Sequence, residues 1–447
     1  MAALLAYVAF LNVIYSRGMD LAFMRHEDDF STPFWSVAGT SLALSGLILL
    51  FHRPLAAAAG LPPGSEWLVA ACAGVLAFDA VCGVPFSLLR LQHKAAAFSA
   101  VRTANIVINL GLNYVFLVRL GMGAGGVFLA YLVSSAATFG MLAPVSALHL
   151  KARFDGKRHA ELLSFSLPLL PAALASMAVQ VIDRPILQAL TDNATLGLYQ
   201  ANYKLGVAMM LFVNMFDAAF KPFFLERRAD PSLDGLLARI LTYFLLGGSL
   251  LLLGVSFFIG ALAACPLPGG RTLIHPDYWP GLGVVPVVLA GYLLNGVYYN
   301  FLAAPTLARK TGLVAWSAAA GAGVNIAANI FLIPGWGIMG AAWATCAAYF
   351  AMAAVLYALT RGLRPIPYEW GRLALIAGWT AFLFWAEPSV SGTLGASAWL
   401  GKLGLLAAFP GGLAVAGFLN PAEARGLWTM FRSRSKRAGV DQNQTPA

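Results

Sequence analysis

The passage NLGLNYVFLVRLGMGAGG (Asn109–Gly126) recurs, two residues shorter, as NIAANIFLIPGWGIMG (Asn325–Gly340). Each copy follows a lysine by fourteen residues, Lys94 in the first and Lys310 in the second. The offset is 216 through the asparagine pairs Asn109/Asn113 and Asn325/Asn329, and 214 at the closing glycines. Six apolar segments separate the copies, an even number that preserves their direction across a bilayer. That is the signature of a parallel repeat about an axis along the membrane normal, with six helices in each lobe.

Composition agrees. The 447 residues are 60% hydrophobic and only 11% charged, whereas a globular chain carries about 25% charged residues. The apolar runs are about 20 residues long, enough to cross a hydrocarbon core of about 30 Å. A soluble enzyme, a disordered tail protein and a secreted disulfide scaffold are all excluded. Thirteen segments can be marked, near 2–16, 33–51, 67–89, 97–118, 125–148, 164–188, 196–220, 239–264, 280–306, 312–333, 338–360, 370–386 and 395–419.

A second match supports the two lobes. MDLAF at Met19–Phe23 resembles FDAAF at Phe216–Phe220, offset 197, which sets Met1 against Leu198. The 34 residues from Ser164 to that point then have no earlier counterpart. The expectation is an all-α, polytopic membrane protein of 13 spans in two pseudo-symmetric six-helix lobes, the first lacking its first helix. The expected domains are an N-terminal lobe at 1–150, a cytoplasmic loop at 151–163, a C-terminal lobe at 164–362, two additional spans at 363–420 and a basic tail at 421–447.

The net charge of +10 sorts by position. Alternate connections hold Arg17, Arg25; Arg90, Lys94; Lys151, Arg153, Lys157, Arg158; Lys221, Arg227, Arg228; Arg309, Lys310; Arg361, Arg364, Arg372; and Arg425, Arg432, Arg434, Lys436, Arg437. The opposite connections hold only Arg53, Arg119 and Arg271. Twenty-one against three marks the first set as cytoplasmic and the tail with it. The basic excess therefore faces an anionic leaflet rather than nucleic acid. Three of the four cysteines, Cys72, Cys82 and Cys346, lie in apolar runs, and Cys265 does not. The six histidines show no ligand spacing, so no metal or other cofactor is expected.

Charges embedded in spans are candidate functional groups, each with a structural alternative. Asp183, Arg184 and Lys204 lie at similar depth on successive segments. They form either a cationic face or an Asp183–Lys204 pair that leaves Arg184 to snorkel. Arg17 and Asp20 stand at the cytoplasmic mouth of the first span, and the repeat puts Asp217 opposite Asp20. Asp217 is either an ordinary i,i+4 partner of Lys221 or half of a symmetric gate. Arg102 is an interfacial anchor or a headgroup contact. Asp79, with no basic residue within a turn, is a candidate coupling carboxylate or a hydrogen-bond partner for a neighbouring helix. The asparagine pairs point to interhelical hydrogen bonds or to sugar contacts.

The stretch from Ser166-Leu167-Pro168 through Asp183-Arg184, Gly197-Leu198-Tyr199 and Tyr203-Lys204 to Lys221-Pro222-Phe223 resembles bacterial polysaccharide and oligosaccharide (O-antigen type) flippases. These belong to the multidrug/oligosaccharidyl-lipid/polysaccharide exporter superfamily. The resemblance implies two lobes that rock about a central cavity in the cytoplasmic membrane. It implies movement of an undecaprenyl-diphosphate-linked oligosaccharide to the outer leaflet, by a transporter rather than an enzyme. Arg184, Lys204, Arg102 and Arg17 would meet the anionic headgroup, while Asp79, Asp183, Asp20 and Asp217 would serve coupling or gating. Coupling to a proton or sodium gradient, action as a monomer among membrane lipids and contact with a polysaccharide polymerase fit the same picture. A lipid II flippase and a cation-coupled multidrug or metabolite antiporter are the alternatives.

The charge asymmetry makes a direct prediction. Single cysteines replacing Arg53 or Arg119 should react with a membrane-impermeant maleimide in intact cells. Cysteines replacing Arg158 or Lys310 should react only after lysis. The reverse pattern would invert the topology.

Overall fold

In a computed structural model, residues 2–25, 29–92, 94–267, 271–308, 310, 312–394 and 397–418 are described. They fold into helices α1 (Ala2–Ser16), α2 (Met19–Arg25), α3 (Ser31–Leu50), α4 (His52–Ala58), α5 (Trp67–Leu91), α6 (Ala95–Asn113) and α7 (Gly123–His149). There follow α8 (Gly156–Ser166), α9 (Leu170–Val181), α10 (Asp183–Leu190), α11 (Asn193–Tyr203), α12 (Val207–Glu226) and α13 (Leu233–Ala263). The chain continues with α14 (Val284–Phe301), α15 (Ala303–Leu307), α16 (Gly312–Thr360), α17 (Trp370–Leu394) and α18 (Ala398–Val415). A two-residue antiparallel pairing, β1 (Pro266–Leu267) with β2 (Arg271–Thr272), closes the connection after α13.

Helices are what lipid permits, because they satisfy their own backbone polar groups. Ten helices among the described residues are long and apolar enough to cross a membrane, or eleven if one bent pair is a single span. Thirteen segments were expected, and the backbone accounts for the difference at three places. The first apolar helix is short, Leu4–Ser16. The stretch expected as one span at 164–188 is broken. The stretches expected at 312–333 and 338–360 are two helices that meet at a kink at Gly337, whose backbone is non-helical, and are numbered and counted together as α16.

Proline explains the breaks. Pro168 and Pro171 cannot donate to the carbonyls four residues back, so α8 gives way to a single tight turn, Leu167–Leu169, and the axis bends by 49° into α9. Pro185 likewise cannot donate to Val181, where α9 ends and α10 begins. Residues 156–163, expected as loop, are helical. Asp155 caps them, accepting the backbone N–H of Lys157 at 2.9 Å and of Arg158 at 3.2 Å. Those bonds, Arg158 foremost, hold the Asp155 carboxyl below its usual range.

The two repeat copies fold alike in detail. Gly123 and Gly337, offset 214, both take left-handed backbone, with φ of 55° and 52°. Gly126 and Gly340, also offset 214, both bring bare backbone against the preceding helix. A Cβ on Gly126 would lie 2.9 Å from Phe116 Cβ, and one on Gly340 would lie 2.4 Å from the Leu332 carbonyl oxygen. Phe116 and Leu332 are themselves offset by 216. The register read from the asparagines on one side and the glycines on the other is thus met by packing. In the first copy a π-helical turn, Tyr114–Arg119, lies where the second copy is two residues shorter.

The chain packs as two units. One comprises Met1–Gln200 with Arg309–Leu359, and the other Ala201–Ala308 with Thr360–Ala447. In the first, α3 and α7 lie against α5, and Tyr15, Phe23, Phe34, Leu76 and Val84 form a core. In the second, α17 and α18 pack against α13, joining Leu253 and Phe257 to Ile376, Leu383 and Phe409. Ionic contacts pin this addition near both ends. Lys402 Nζ donates to the Phe257 carbonyl at 2.8 Å and faces Glu387 at 3.2 Å. Arg364 meets Asp234 at 2.5 Å, and Thr242 donates to Glu369 at 2.7 Å. The tail expected at 421–447 lies outside the described residues.

Gly340→Ala should lower the melting temperature in detergent, since overpacking against backbone costs about 1–3 kcal/mol. Gly335→Ala, with nothing within 4 Å of the added carbon, should leave it nearly unchanged. Equal melting of both variants would contradict the close approach.

Candidate functional site

A polar seam runs along the junction of α5, α6 and α7. Asp79 on α5 lies beside Ser135 on α7 and within electrostatic reach of Arg102 on α6. The Arg102 guanidinium lies over Phe86, 4.2 Å from the ring centre, and 5.8 Å from that of Phe98. One turn farther along α6, Asn105 donates to the Ser134 carbonyl at 3.1 Å and to Thr138 Oγ1 at 2.8 Å. Asn109 donates to Ser134 Oγ at 3.1 Å, and Asn113 donates back to the Asn109 carbonyl at 2.8 Å. An acid, a cation and a ladder of amides and hydroxyls thus share one seam. Asp79 lacks a basic neighbour on its own helix, but packing supplies one.

The second copy keeps part of this ladder. Asn329 donates to the Asn325 carbonyl at 2.8 Å and to Asn325 Oδ1 at 3.1 Å, both residues being fully buried. Asn325 Nδ2 and Asn329 Oδ1 find no hydrogen-bond partner among the described residues.

Asp183 opens α10, where an acid is favoured by the exposed N–H groups of the first turn. It is fully buried. Tyr199 on α11 donates its hydroxyl to Oδ2 at 2.7 Å, and Arg184 Nη1 lies 3.4 Å from Oδ1. Thr345 on α16 lies beside the Tyr199 hydroxyl, and Arg184 also donates to the Gln180 carbonyl. Asp183 is therefore held by Tyr199 and Arg184. Lys204, the other partner weighed for it, lies exposed on the short turn Lys204–Gly206 of the second unit.

Arg17 occupies the turn between α1 and α2. It is the only non-glycine residue with positive φ, 47°, among those described. Such backbone costs of order 1–3 kcal/mol and tends to collect at functional places. Its Nη2 reaches the Ser36 carbonyl at 3.1 Å, Ser36 Oγ at 3.0 Å and Thr40 Oγ1. Its Nε is buried without a hydrogen-bond partner, and no carboxylate pairs with it among the described residues. Asp20 packs by Gly83 of α5. Asp217 pairs with Lys221 at 2.7 Å, the ordinary i,i+4 arrangement.

Several partners escaped the sequence reading: Ser134, Ser135, Thr138, Tyr199 and Thr345. Each is a common residue in an apolar helix, and only packing gives it a role. In the aromatic group Tyr298, Tyr299 and Phe301, Tyr298 and Phe301 are buried, and Phe301 lies edge-on to Tyr368 at 5.1 Å. No group of three or more His, Cys, Asp or Glu side chains could hold a metal among the described residues.

Removing the Tyr199 hydroxyl strips a donor from a buried carboxylate, for which hydrogen bonds are worth about 1.5–3 kcal/mol. Tyr199→Phe should lower the melting temperature. Adding Asp183→Leu should cost less than the two single changes together. Strict additivity would show that the contact carries no energy.

Comparison with known proteins places the fold. The structure resembles a lipid II flippase, MurJ, in an inward closed conformation, with a TM-score of 0.72 at 14% identity, covering 93% of this chain and 90% of that one. It also resembles a mutant of the Vibrio cholerae MATE transporter VcmN, at 0.57 and 13%, covering 81% and 85%. An inward-facing multidrug resistance MATE family transporter of the MOP superfamily matches at 0.54 and 14%, covering 81% and 87%. These neighbours are named as a flippase and transporters, not as catalysts. No curated protein matches the sequence. Residues 1–243 match the family described as "Polysaccharide biosynthesis protein"; the chain belongs to that family and has the fold of the multidrug/oligosaccharidyl-lipid/polysaccharide exporter superfamily.

Proposed function

We propose that this protein is a flippase that moves an undecaprenyl-diphosphate-linked oligosaccharide across the bacterial cytoplasmic membrane by alternating access, for cell-surface polysaccharide such as O-antigen. The observation that carries this reading is the family match across residues 1–243, joined to a fold shared with a lipid II flippase over 93% of the chain. The chemistry supports it. A sugar diphosphate cannot enter hydrocarbon without compensating charge. Arg17 and Arg102 are held by hydroxyl and carbonyl oxygens in one case and by aromatic faces in the other, and neither is neutralised by an ion pair among the described residues. A guanidinium with no carboxylate bound to it is open to a phosphate, which it can grip through two N–H groups at once.

Arg184 and Lys204 supply the remaining cations, with Asp183 and Tyr199 orienting Arg184. Asp79, beside Ser135 and Arg102, is the carboxylate best placed for coupling to a proton or sodium gradient. Asp20 and Asp217 serve at the cytoplasmic mouths. Asn109, Asn113, Asn325 and Asn329 hold helices rather than sugars, since Asn109 already bonds Ser134 and each pair bonds internally. The loop charges set the C-terminus in the cytoplasm. The protein works as a monomer, supplying a polymerase on the far side.

Restored O-antigen in a strain lacking its own flippase, supplied with this gene, is the expected outcome. Arg17→Ala and Arg102→Ala should reduce it strongly, and Arg184→Ala and Lys204→Ala should also impair it, all at normal expression. Failure of well-expressed protein across several glycan types would count against the reading. Unchanged activity of Arg184→Ala and Lys204→Ala would remove those two residues from the headgroup site.

A further inference from the structure

We propose that the groove between α1, α3 and α5 binds one acyl chain of a zwitterionic, amine-bearing phospholipid, whose headgroup rests between Arg53 and Glu66. The proposal is independent of the transported cargo and rests only on the first unit.

The groove encloses about 560 Å³ and is walled by apolar side chains, among them Leu4, Leu11, Leu47, Phe51 and Leu76, with Tyr15 at one end. That volume lies within the roughly 300–1,000 Å³ typical of small-molecule sites. Several wall residues are open to the surroundings: Leu47 is 53% exposed, Phe51 49% and Leu55 43%. A strongly polar ligand would find little to answer it in such a lining, where Tyr7 and Tyr15 supply the few polar atoms.

Shape suits the occupant. From Leu4 to Tyr15, α1 advances roughly 16 Å at 1.5 Å per residue, and the groove along it is long, apolar and open to the surroundings, as a hydrocarbon chain requires. The second unit makes the contrast. There α13, which follows α12 as α3 follows α1 and α2, has protein packed on it, with α17 and α18 contributing Leu383, Phe409 and Leu413 to the common core. The first unit leaves the corresponding helix with a furrow.

Charge identifies the head. The groove adjoins a depression lined by His52, Arg53, Gly64, Glu66 and Trp67. Phe51 and Val69 line the groove, and the next residues, His52 and Ala70, line the depression. Arg53 and Glu66 form no ion pair with one another among the described residues. A cation and an anion left apart over the mouth of an acyl channel match a phosphate and an ammonium on one headgroup. Backbone hydrogen bonds hold the Glu66 carboxyl below its usual range, so it stays ionised opposite an amine. Trp67 is a residue type enriched at the membrane–water boundary, where such a headgroup lies.

The full chain, purified in mild detergent from membranes containing phosphatidylethanolamine, phosphatidylglycerol and cardiolipin, is examined by native mass spectrometry with lipid extraction. The expected result is a single retained phosphatidylethanolamine. It should be lost in Ala58→Trp, which fills the groove from an exposed position, and in Arg53→Glu, with melting temperatures unchanged. Ala59→Trp provides a second filling variant should the first fold poorly. Retention unaffected by both filling variants, retention of an anionic lipid instead, or no retained lipid would each overturn the proposal. A lipid-free dimer would assign the groove to a second copy and overturn it equally.

Discussion

Hydrocarbon offers no partner to a backbone N–H, a carbonyl or a charge, and that deficit organises this molecule. It forces the chain into helices and drives most basic residues to the connections. It also favours embedded polar groups that find a complement inside the protein, although Arg17 Nε, Asn325 Nδ2 and Asn329 Oδ1 have none among the described residues. Asp183 takes the Tyr199 hydroxyl and Arg184, Asp79 sits beside Ser135, and Lys402 takes Glu387 and the Phe257 carbonyl. The Lys402 contact to Phe257 spans 145 residues, while Asp183 is held from its own helix and the next. The polar residues are few, and their pairing is correspondingly specific.

The same deficit explains where the backbone bends. A proline within an apolar helix frees a carbonyl, and the chain answers with a break at Pro168–Pro171 and another before Pro185. The second break sets Asp183 at a helix start, among N–H groups with no intrahelical acceptor, which suits an anion. Glycine does the complementary work at the repeat. Gly123 and Gly337 turn the chain, and Gly126 and Gly340 let the next helix return against its predecessor.

Much of the candidate site was legible as residue identity and little of it as pairing. Arg17, Asp79, Arg102 and Asp183 stand out because a charge in an apolar run is rare. Ser135, Tyr199 and Thr345 do not, because hydroxyls are common in membrane helices and carry no periodic signal. Asp183 and Lys204 lie at similar depth along the chain, yet the donors that hold Asp183 in the fold are a tyrosine sixteen residues on and the adjacent arginine. Depth is a one-dimensional coordinate, and it cannot show which faces of two helices meet.

The sequence by itself determined the class of molecule, the register of its internal repeat and the family, since hydropathy, motif residues and glycine spacing are properties of the linear chain. It also determined which residues had to be explained. Only the tertiary structure decided how many helices run unbroken, what holds each buried charge, and that α17 and α18 cover α13 while a furrow remains beside α3. Those outcomes depend on which helix faces pack together. Side-chain volume and hydrogen-bond geometry decide that in three dimensions, among residues whose linear spacing carries no record of it.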